Sequence, residues 1–568
     1  METRRLILLM IFSLSLIMLW DNYQASIGNP TVFGLSTGTQ TKTEDSGKSK
    51  VGGAPSDLPS AVAPVAKSVS GDAVPSDAGS NPAPVLETIS VKTDVLELAF
   101  SSQGGQIVSS KLLKHPSAED PAKPVQLFEQ SANRIYVAQA GLVGVPNAPN
   151  HRTLFEVLER PTEFTADKSS QVLKFRATSG DLETIYTYTI HKDRYDIGFV
   201  IETKNMGSTS LTPNAYVQIM RDGKPLESDS ALYATFTGPA VYTPEGKYQK
   251  VTFDDIGKGG AEYIKQSDSG WVAMIQHYFV SAIIGQNGPR ENYTRRVEDN
   301  LYSVGLVSSL GAVEPNQTAK YSSTIYTGPQ DQRVLETLAP GLDLVVDYGW
   351  LTVIAKPIYW LLEQIHSFVG NWGWAIILLT VLIKAVFFPL SAASYKSMAK
   401  MRQVAPRMQK LKEQHGDDKM AFQRAMMELY KREKINPLGG CMPILIQIPV
   451  FISLYWVLLA SVEMRHAPWL GWIHDLSAPD TLFGILPGVD MPVGLLPIIM
   501  AVSMYVQTKL NPTPPDPMQA KVMLFMPIVF SFMFFFFPSG LVLYWVVNNV
   551  LSIAQQWVIT KQSAAGKA

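Results

Sequence analysis

Cysteine is almost absent from this chain of 568 residues, in which Cys441 is the single example. One cysteine excludes an intrachain disulfide, so any exported domain must be held together by its own hydrophobic core. A net excess of charge is absent too, because 48 Lys and Arg residues face 49 Asp and Glu residues, and this gives no reason to expect a nucleic-acid partner. The sequence contains no phosphate-binding glycine loop, metal-ligand cluster or nucleophile motif. We therefore expect no enzyme, no cofactor and no bound metal.

The near-zero net charge hides two regions of opposite sign. Residues 21–350 hold 28 basic and 37 acidic residues, a net charge of −9, whereas residues 391–442 hold 11 basic and 5 acidic residues, a net charge of +6. Cytoplasmic loops of membrane proteins are enriched in Lys and Arg, so the basic region is expected on the cytoplasmic side of a membrane. The long acidic region is expected on the other side.

The N-terminal residues predict a membrane anchor followed by a tether. Arg4 and Arg5 precede an apolar run that ends in the bulky Trp20, with no small-residue cleavage site close behind it. This pattern indicates that residues 1–28 form an uncleaved membrane anchor. A cleaved signal peptide is the alternative. Residues 29–87 are rich in Ser, Pro, Ala, Gly and Thr and bury too little apolar surface to fold, so we predict a flexible linker.

Residues 88–340 have the pattern of an all-β domain. Alternating, β-rich runs such as residues 185–190 and 321–326 are separated by turn signals rich in Gly, Pro and Asn. Many short strands in one block predict a β-sandwich. The next residues, 341–369, mix Trp and Tyr with charged side chains, which predicts an amphipathic helix lying in the membrane interface.

The C-terminal region contains five further apolar runs, which with the anchor make a polytopic α-helical membrane protein of six predicted spans. Several runs are shorter than the roughly 20 residues that an upright spanning helix needs. The short loops follow the positive-inside rule, which places both termini in the cytoplasm and the large domain in the periplasm. The core at residues 370–560 has predicted spans at about 370–390, 443–462, 493–507, 522–537 and 541–559, a cytoplasmic hairpin at 392–436, and a cytoplasmic tail at 561–568.

Lys384 lies inside the first of these five runs, where a charge costs about 2.5–3.5 kcal/mol on insertion scales. It precedes Pro389 by five residues, roughly 7.5 Å along a helix, so snorkelling of its long side chain to the interface is one interpretation. Polar side chains on other spans favour a second interpretation, a shared wet cavity. Ordinary interhelical hydrogen bonding explains those amides and hydroxyls but not the lysine. The polar candidates are Gln447, Ser503, Gln507, Asn548, Ser552 and Gln555.

The basic region predicts a helical hairpin. Residues 395–414 and 419–434 both have helical patterns, and residues 416–418 separate them with aspartates able to cap the second helix. The charge fits two interpretations, cytoplasmic topology with anionic-lipid contact, or a docking surface for nascent chains or ribosomal RNA. The basic side chains are Lys396, Lys400, Arg402, Arg407, Lys410, Lys412, Arg424, Lys431 and Arg432.

Motifs in the C-terminal region are similar to those of the YidC family of membrane protein insertases, in its Gram-negative form. They occur in order between residues 369 and 559 and are highly specific together, whereas the N-terminal anchor and β-rich domain resemble that form through weaker motifs. The matching sequences are SMAKM at 397–401, GDDK at 416–419, NPLGGCMP at 436–443, WIHDLS at 472–477, DPMQ at 516–519 and PSGLVLYW at 538–545.

The resemblance implies a five-helix insertase core with a hydrophilic groove, open to cytoplasm and lipid but closed towards the periplasm. Lys384 matches a positive groove residue that is arginine in many members, and Thr380, Gln507 and Trp545 match further groove positions. The periplasmic domain is expected to be a β-supersandwich of the sugar-mutarotase type, which alone implies no sugar chemistry. The implied function is insertion and folding of inner-membrane proteins, and the implied location is the bacterial inner membrane. Expected partners are nascent membrane proteins, the Sec translocon, the ribosome and membrane lipids, with no small-molecule substrate.

Two other functions are open at this point. A small-solute transporter or channel needs a pathway that opens alternately to both sides, and the spans lack the internal repeat that would favour it. A periplasmic sugar-binding or mutarotase-like enzyme on an anchor leaves the basic hairpin unexplained. The site hypothesis places Lys384, Thr380, Gln447, Ser503, Gln507, Trp545, Asn548 and Ser552 in one substrate groove.

Overall fold

The computed structural model divides the chain into two units, Met1–Val346 and Asp347–Ala568. The predicted anchor at residues 1–28 and almost all of the predicted linker at 29–87 lie outside the described residues. The structure describes residues 86–118, 120–162, 164, 169–225, 235–415, 418–433, 442–486, 491–511 and 517–565.

The described part of the first unit is built almost entirely of β-strands. Two short α-helices, α1 (Phe253–Lys258) and α2 (Gln332–Leu338), and one 3-10 helix, Leu342–Val345, are the exceptions among its described elements. The strands are β1 (Thr88–Lys92), β2 (Leu96–Ser101), β3 (Gln106–Pro116), β4 (Pro124–Gln126), β5 (Glu129–Gln130), β6 (Ile135–Val143), β7 (Glu156–Glu159), β8 (Ser170–Ser179), β9 (Leu182–His191), β10 (Asp196–Asn205), β11 (Asn214–Asp222), β12 (Gly238–Thr243), β13 (Lys247–Lys250), β14 (Gln266–Ser267), β15 (Trp271–Gln276), β16 (Phe279–Gly285), β17 (Arg290–Glu298), β18 (Leu301–Ser309) and β19 (Thr318–Pro329).

These strands form two large antiparallel sheets that share one hydrophobic core. One sheet has ten strands in the order β1-β2-β3-β6-β11-β18-β17-β14, with β4 beside β3 and β5 beside β6, and the other has nine in the order β13-β12-β15-β16-β19-β10-β9-β8-β7. Phe100 and Val217 of the first sheet lie in the same core cluster as Phe199 and Ile283 of the second. Strand β9 alternates strictly between buried and half-buried residues, as a strand with one core face should. The prediction of an all-β domain is confirmed.

The second unit is helical, and the helix breaks seen in its sequence appear in its structure. Asp418 caps α6 (Lys419–Arg432), as the sequence predicted. Its Oδ1 accepts hydrogen bonds from the Met420 and Ala421 amides, both at 3.0 Å. A two-stranded hairpin, β20 (Ile485–Leu486) and β21 (Met491–Pro492), precedes α8. The helices are α3 (Thr352–Val369), α4 (Trp372–Val386), α5 (Phe388–His415), α6 (Lys419–Arg432), α7 (Met442–Ala460), α8 (Leu495–Leu510), α9 (Pro517–Phe534) and α10 (Ser539–Ala565).

The predicted span at residues 370–390 is not one straight helix. It ends as α4 at Val386, and α5 starts at Phe388 after a bend of 67°. Pro389 lies in the first turn of α5, where its missing amide hydrogen is tolerated but where it prevents α4 from continuing. Within the described ranges, only α4 and α5 together, as this bent pair, have the length and apolarity of a membrane-crossing helix, and no helix has them alone. The structure does not confirm six spans.

One loop, the residues between α7 and α8, joins several helix ends of the second unit. The Ser539 amide at the start of α10 donates to the Ala478 carbonyl at 2.8 Å, and Asn371 at the start of α4 donates its Nδ2 to the Pro468 carbonyl at 2.9 Å. Tyr359 of α3 donates its hydroxyl to Glu463 Oε1 at 2.7 Å. The first two bonds fix the starts of α10 and α4 to this loop, and the third attaches the middle of α3 to it.

Candidate functional site

Lys384 lies in the last turn of α4 and its side chain reaches α10. Its Nζ donates a hydrogen bond to Ser552 Oγ at 2.7 Å, and the Ser552 hydroxyl in turn donates to the Asn548 carbonyl, one turn earlier on α10, at 2.7 Å. Lys384 is half-buried and Ser552 is buried. The ammonium is therefore held by a neutral hydroxyl between two helices, an arrangement that leaves its positive charge uncompensated by that partner.

Gln447 brings α7 into the same polar group. Its Nε2 donates to Asn548 Oδ1 and, at 3.4 Å, to the Tyr544 hydroxyl. Asn548 and Ser552 lie four residues apart, so they share one face of α10, as the sequence predicted. Side chains from α4, α7 and α10 thus converge on one polar patch.

A small cleft opens beside this patch. It contains about 20 Å³ of space that a water-sized sphere can occupy, room for about one water molecule, and combines the Lys384 and Gln447 side chains with mostly apolar walls. A cation and an amide in an otherwise apolar cleft can replace part of the hydration of an acidic or amide group that enters it. Its lining residues are Ile383, Lys384, Phe387, Leu390, Ser391, Gln447 and Val450.

Ser503, another predicted groove residue, belongs to a different contact. Its hydroxyl accepts a hydrogen bond from Asn549 Nδ2 at 3.0 Å and donates to the Met500 carbonyl at 2.8 Å, and both Ser503 and Asn549 are buried. Asn549 follows Asn548 by one residue, which turns its side chain about 100° away around the helix. The structure therefore places Ser503 in a buried pair between α8 and α10.

Thr380 and Trp545 lie in tightly packed surroundings. The Thr380 hydroxyl is buried and donates to the Ile376 carbonyl of its own helix at 2.7 Å. The Trp545 ring packs edge-on against Phe451, with centroids 4.5 Å apart, and tilted against Phe534, at 5.2 Å. Within the described part of the chain, its buried indole Nε1 has no hydrogen-bond partner. Gln507 is half-buried on α8.

Sequence reasoning missed two participants. Asn549, which holds Ser503, follows the predicted Asn548 directly, and helical spacing alone assigned it to another face. Tyr544, which contacts Gln447, lies one turn before Asn548 on the same face. The one-turn spacing of Tyr544, Asn548 and Ser552 was the signal that could have found the tyrosine.

The basic hairpin is attached to the helical core through its first helix. Arg402 Nη2 donates to the Lys509 carbonyl at the C-terminal end of α8 at 2.9 Å, and Arg407 Nη1 lies 2.6 Å from Glu433 Oε1, which joins α5 to the end of α6. Lys412 is half-buried. The other predicted basic residues, Lys396, Lys400, Arg402, Arg407, Lys410, Arg424, Lys431 and Arg432, are exposed.

Comparisons with known proteins cover the whole chain. A family model described as "60Kd inner membrane protein" matches residues 364–566, and a "YidC periplasmic domain" model matches residues 88–361. "Membrane protein insertase YidC" of Janthinobacterium sp. (strain Marseille) is 49% identical over 99% of this chain and 99% of that protein. The protein of the same name from Bordetella petrii is 50% identical over 99% of this chain and 98% of that protein. A crystal structure of an active YidC insertase with its first transmembrane domain resolved matches with 19% identity and a TM-score of 0.37, over 83% of this chain and 92% of that one.

Proposed function

Because this chain belongs to the YidC family of membrane protein insertases, we propose that the Lys384 cleft receives the hydrophilic part of each substrate. The chain is an inner-membrane insertase with a periplasmic β-domain. The comparisons give no support to a small-solute transporter. The observation that carries the proposal is the Lys384–Ser552 contact beside Gln447 and Asn548, which joins three helices around one cation.

The cation provides the attraction for the substrate. A hydrophilic tail or short loop enters from the cytoplasm, and Lys384 attracts its acidic residues while Gln447 and Asn548 replace part of their hydration. Ser552 holds the ammonium in place without neutralising it. Gln507 and Trp545 belong to the proposed groove wall, and Thr380 and Ser503 support it through the buried contacts described above.

Burial in lipid then drives the step. The apolar segment of the substrate leaves the cleft along α7 and α9 and gains the free energy of transfer into hydrocarbon. The helices that line this route, α7 and α9, have 19 and 18 residues, slightly fewer than the roughly 20 that an upright spanning helix needs. A bilayer that thins around them presents a lower barrier to the polar tail. The proposed groove is open to cytoplasm and lipid and closed towards the periplasm, where the loop between α7 and α8 joins the helix ends.

The six-span topology, with both termini in the cytoplasm, belongs to the same proposal. It combines the anchor at residues 1–28 with the five apolar segments of the core at 370–560, and it places the α5–α6 hairpin in the cytoplasm. The exposed basic side chains of that hairpin suit guidance of an arriving chain, contact with anionic lipid and contact with a ribosome. Cooperation with the Sec translocon is a further part of the proposal.

The test compares substrates that differ only in tail charge. In Lys384→Gln, insertion of a substrate with an acidic tail should fall about tenfold or more, since hydrogen bonds to charged groups contribute about 1.5–3 kcal/mol. Insertion of the same substrate with Asn and Gln in place of Asp and Glu should change much less. Insertion into proteoliposomes, scored by protease protection, measures both.

Two matched variants control this test. Lys384→Arg keeps the charge and should retain insertion, and Lys561→Gln removes an exposed lysine of α10 that lies against Trp557, away from the cleft. If Lys384→Gln inserts the acidic-tailed substrate as fast as the parent protein, the lysine has no part in the mechanism.

A further inference from the structure

Helix α8 is too short to cross the hydrocarbon core of a bilayer. Its 16 residues, Leu495–Leu510, span about 24 Å at 1.5 Å per residue, against a hydrocarbon thickness of about 30 Å. Its exposed side chains are apolar except for Lys509 in the last turn, and Ile498, Val502 and Val506 are among them. In an inner-membrane protein such a surface contacts lipid, so about 6 Å of apolar contact is missing at one end of α8.

The hairpin before the N-terminus of α8 presents an unusual apolar surface. Phe483 is 61% exposed, Ile485 is 60% exposed and Leu486 is 47% exposed. Residues 481–486, with the sequence TLFGIL, contain no charged side chain. Each two-residue strand spans roughly 7 Å.

Two backbone hydrogen bonds close the base of the hairpin. The Phe483 amide donates to the Val493 carbonyl and the Val493 amide donates to the Gly484 carbonyl, both at 2.9 Å, which closes the hairpin at its base. Phe483 and Ile485, on either side of Gly484, are both exposed.

Asp480 fixes the hairpin to α8. This carboxylate is 4% exposed; its Oδ1 accepts from the Leu482 amide at 3.1 Å and its Oδ2 accepts from the Leu496 amide at 2.8 Å and from Trp472 Nε1 at 3.2 Å. Gly494, the residue that precedes α8, has no capping side chain, and a Cβ there would lie 2.3 Å from the Asp480 Cγ. One buried carboxylate therefore holds both the first turn of the helix and the base of the hairpin.

We propose that this hairpin inserts Leu482, Phe483, Ile485 and Leu486 among lipid acyl chains and completes the membrane-contacting surface of α8. Lipid is the occupant because the hairpin directly precedes α8, whose exposed side chains are apolar except for Lys509 in its last turn. Exposed apolar surface of this kind marks a contact with lipid or with another protein. The proposal rests on the membrane location of the chain and is independent of the Lys384 cleft.

The test places a polarity-sensitive nitrobenzoxadiazole (NBD) fluorophore on the hairpin of the full-length protein in phosphatidylcholine vesicles. Cys441 is replaced by serine, and Ile485→Cys provides the labelling site. His474→Cys is the matched control, because His474 is an exposed polar residue of the preceding loop. We expect blue-shifted emission from position 485 and loss of intensity with nitroxide-labelled lipids, whereas position 474 should respond to aqueous iodide.

Two results would overturn the proposal. Iodide quenching at position 485 equal to that at 474, without quenching by nitroxide lipids, would mean that the hairpin lies in water. Blue-shifted emission that nitroxide lipids leave unchanged, and that reverts as the protein is diluted with lipid, would mean that a second copy of this chain covers the hairpin.

Discussion

The two units of this protein both bury polar side chains, but they use them in opposite ways. In the β-unit, Gln139 Nε2 donates to Gln106 Oε1 at 2.8 Å, Gln218 Nε2 donates to Gln139 Oε1 at 2.9 Å, and the Tyr293 hydroxyl donates to Gln218 Oε1 at 3.0 Å. This ladder crosses the ten-stranded sheet and contains no charge. In the helical unit the polar side chains surround the cation Lys384 beside a cleft.

The difference separates polar groups that stabilise a fold from polar groups that are available to a substrate. The ladder is complete, and its close fit is visible at Gly305, where a Cβ would lie 2.6 Å from the Tyr293 hydroxyl and 2.7 Å from the Gln218 Cβ. A buried, fully bonded network makes the fold specific and rigid. Lys384 instead has a neutral hydroxyl partner and lines the cleft, so its charge can attract an acidic group that enters the cleft.

Gln218→Leu should give the largest change in stability. It leaves the Gln139 carbonyl oxygen and the Tyr293 hydroxyl without their partner in a buried site, which costs about 2–5 kcal/mol in the free energy of unfolding. Urea unfolding of the full chain, followed by protease sensitivity of the β-unit, measures this loss. Insertion by the molecules that remain folded should be unchanged. A selective insertion defect without a loss of stability would contradict the assignment of this ladder to the fold rather than to the substrate.

The His151 side chain should make stability of the β-unit depend on pH. Burial, with smaller contributions from the charges of Arg152 and Arg295, lowers the pKa of His151 to about 4, against about 6.5 in the unfolded chain. The unfolded state therefore binds the proton more tightly. Stability is complete above about pH 6.5 and should fall by up to about 3 kcal/mol as the pH drops towards 4.

Urea unfolding at a series of pH values measures this dependence, and His151→Gln provides the control. The variant also loses the 2.5 Å contact between His151 Nδ1 and the Tyr216 hydroxyl, so it should be less stable at neutral pH. Its stability should nevertheless change much less between pH 6.5 and 4. An equal slope in parent and variant would assign the pH dependence to other groups.

Gln447→Leu should have the smallest effect on stability and a selective effect on insertion. Gln447 is half-buried beside the cleft, so water can replace it as a partner of Asn548, and we expect a change below about 1 kcal/mol in the free energy of unfolding. Insertion of substrates with polar tails should slow, as the proteoliposome protease-protection assay measures. A loss of stability as large as that of Gln218→Leu would mean that the polar patch around Lys384 stabilises the fold, as the glutamine ladder of the β-unit does.

Local sequence patterns predicted the elements whose cause is local. The alternation in β9 and the aspartate cap of α6 were both readable, because a one-sided strand and a capped helix depend on neighbouring residues. Strands β6 and β11 are buried along nearly all their residues, so they lack the alternation that identifies a strand with one exposed face. The break between α4 and α5 was hidden within one continuous apolar run.

The sequence predicted which residues belong to the candidate site but not which side chains contact each other. The helical repeat placed Asn548 and Ser552 on one face, and the structure brings Ser552 to Lys384. Ser503 was assigned to the same groove, yet it pairs with Asn549. Asp480 was not singled out, since it caps α8 from a position 16 residues before Leu496, and only the folded chain brings the two together.

The most direct test of the groove is photocrosslinking from the cleft to a stalled nascent membrane protein. A photoreactive amino acid at Lys384, Gln507 or Trp545 is compared with one at Lys258, an exposed residue of α1 in the β-unit. We predict crosslinks from the three groove positions to the hydrophilic tail of the substrate, and none from Lys258. Absence of crosslinks from Lys384 while the stalled chain still crosslinks elsewhere on the helical unit would contradict the proposal that this lysine receives the substrate.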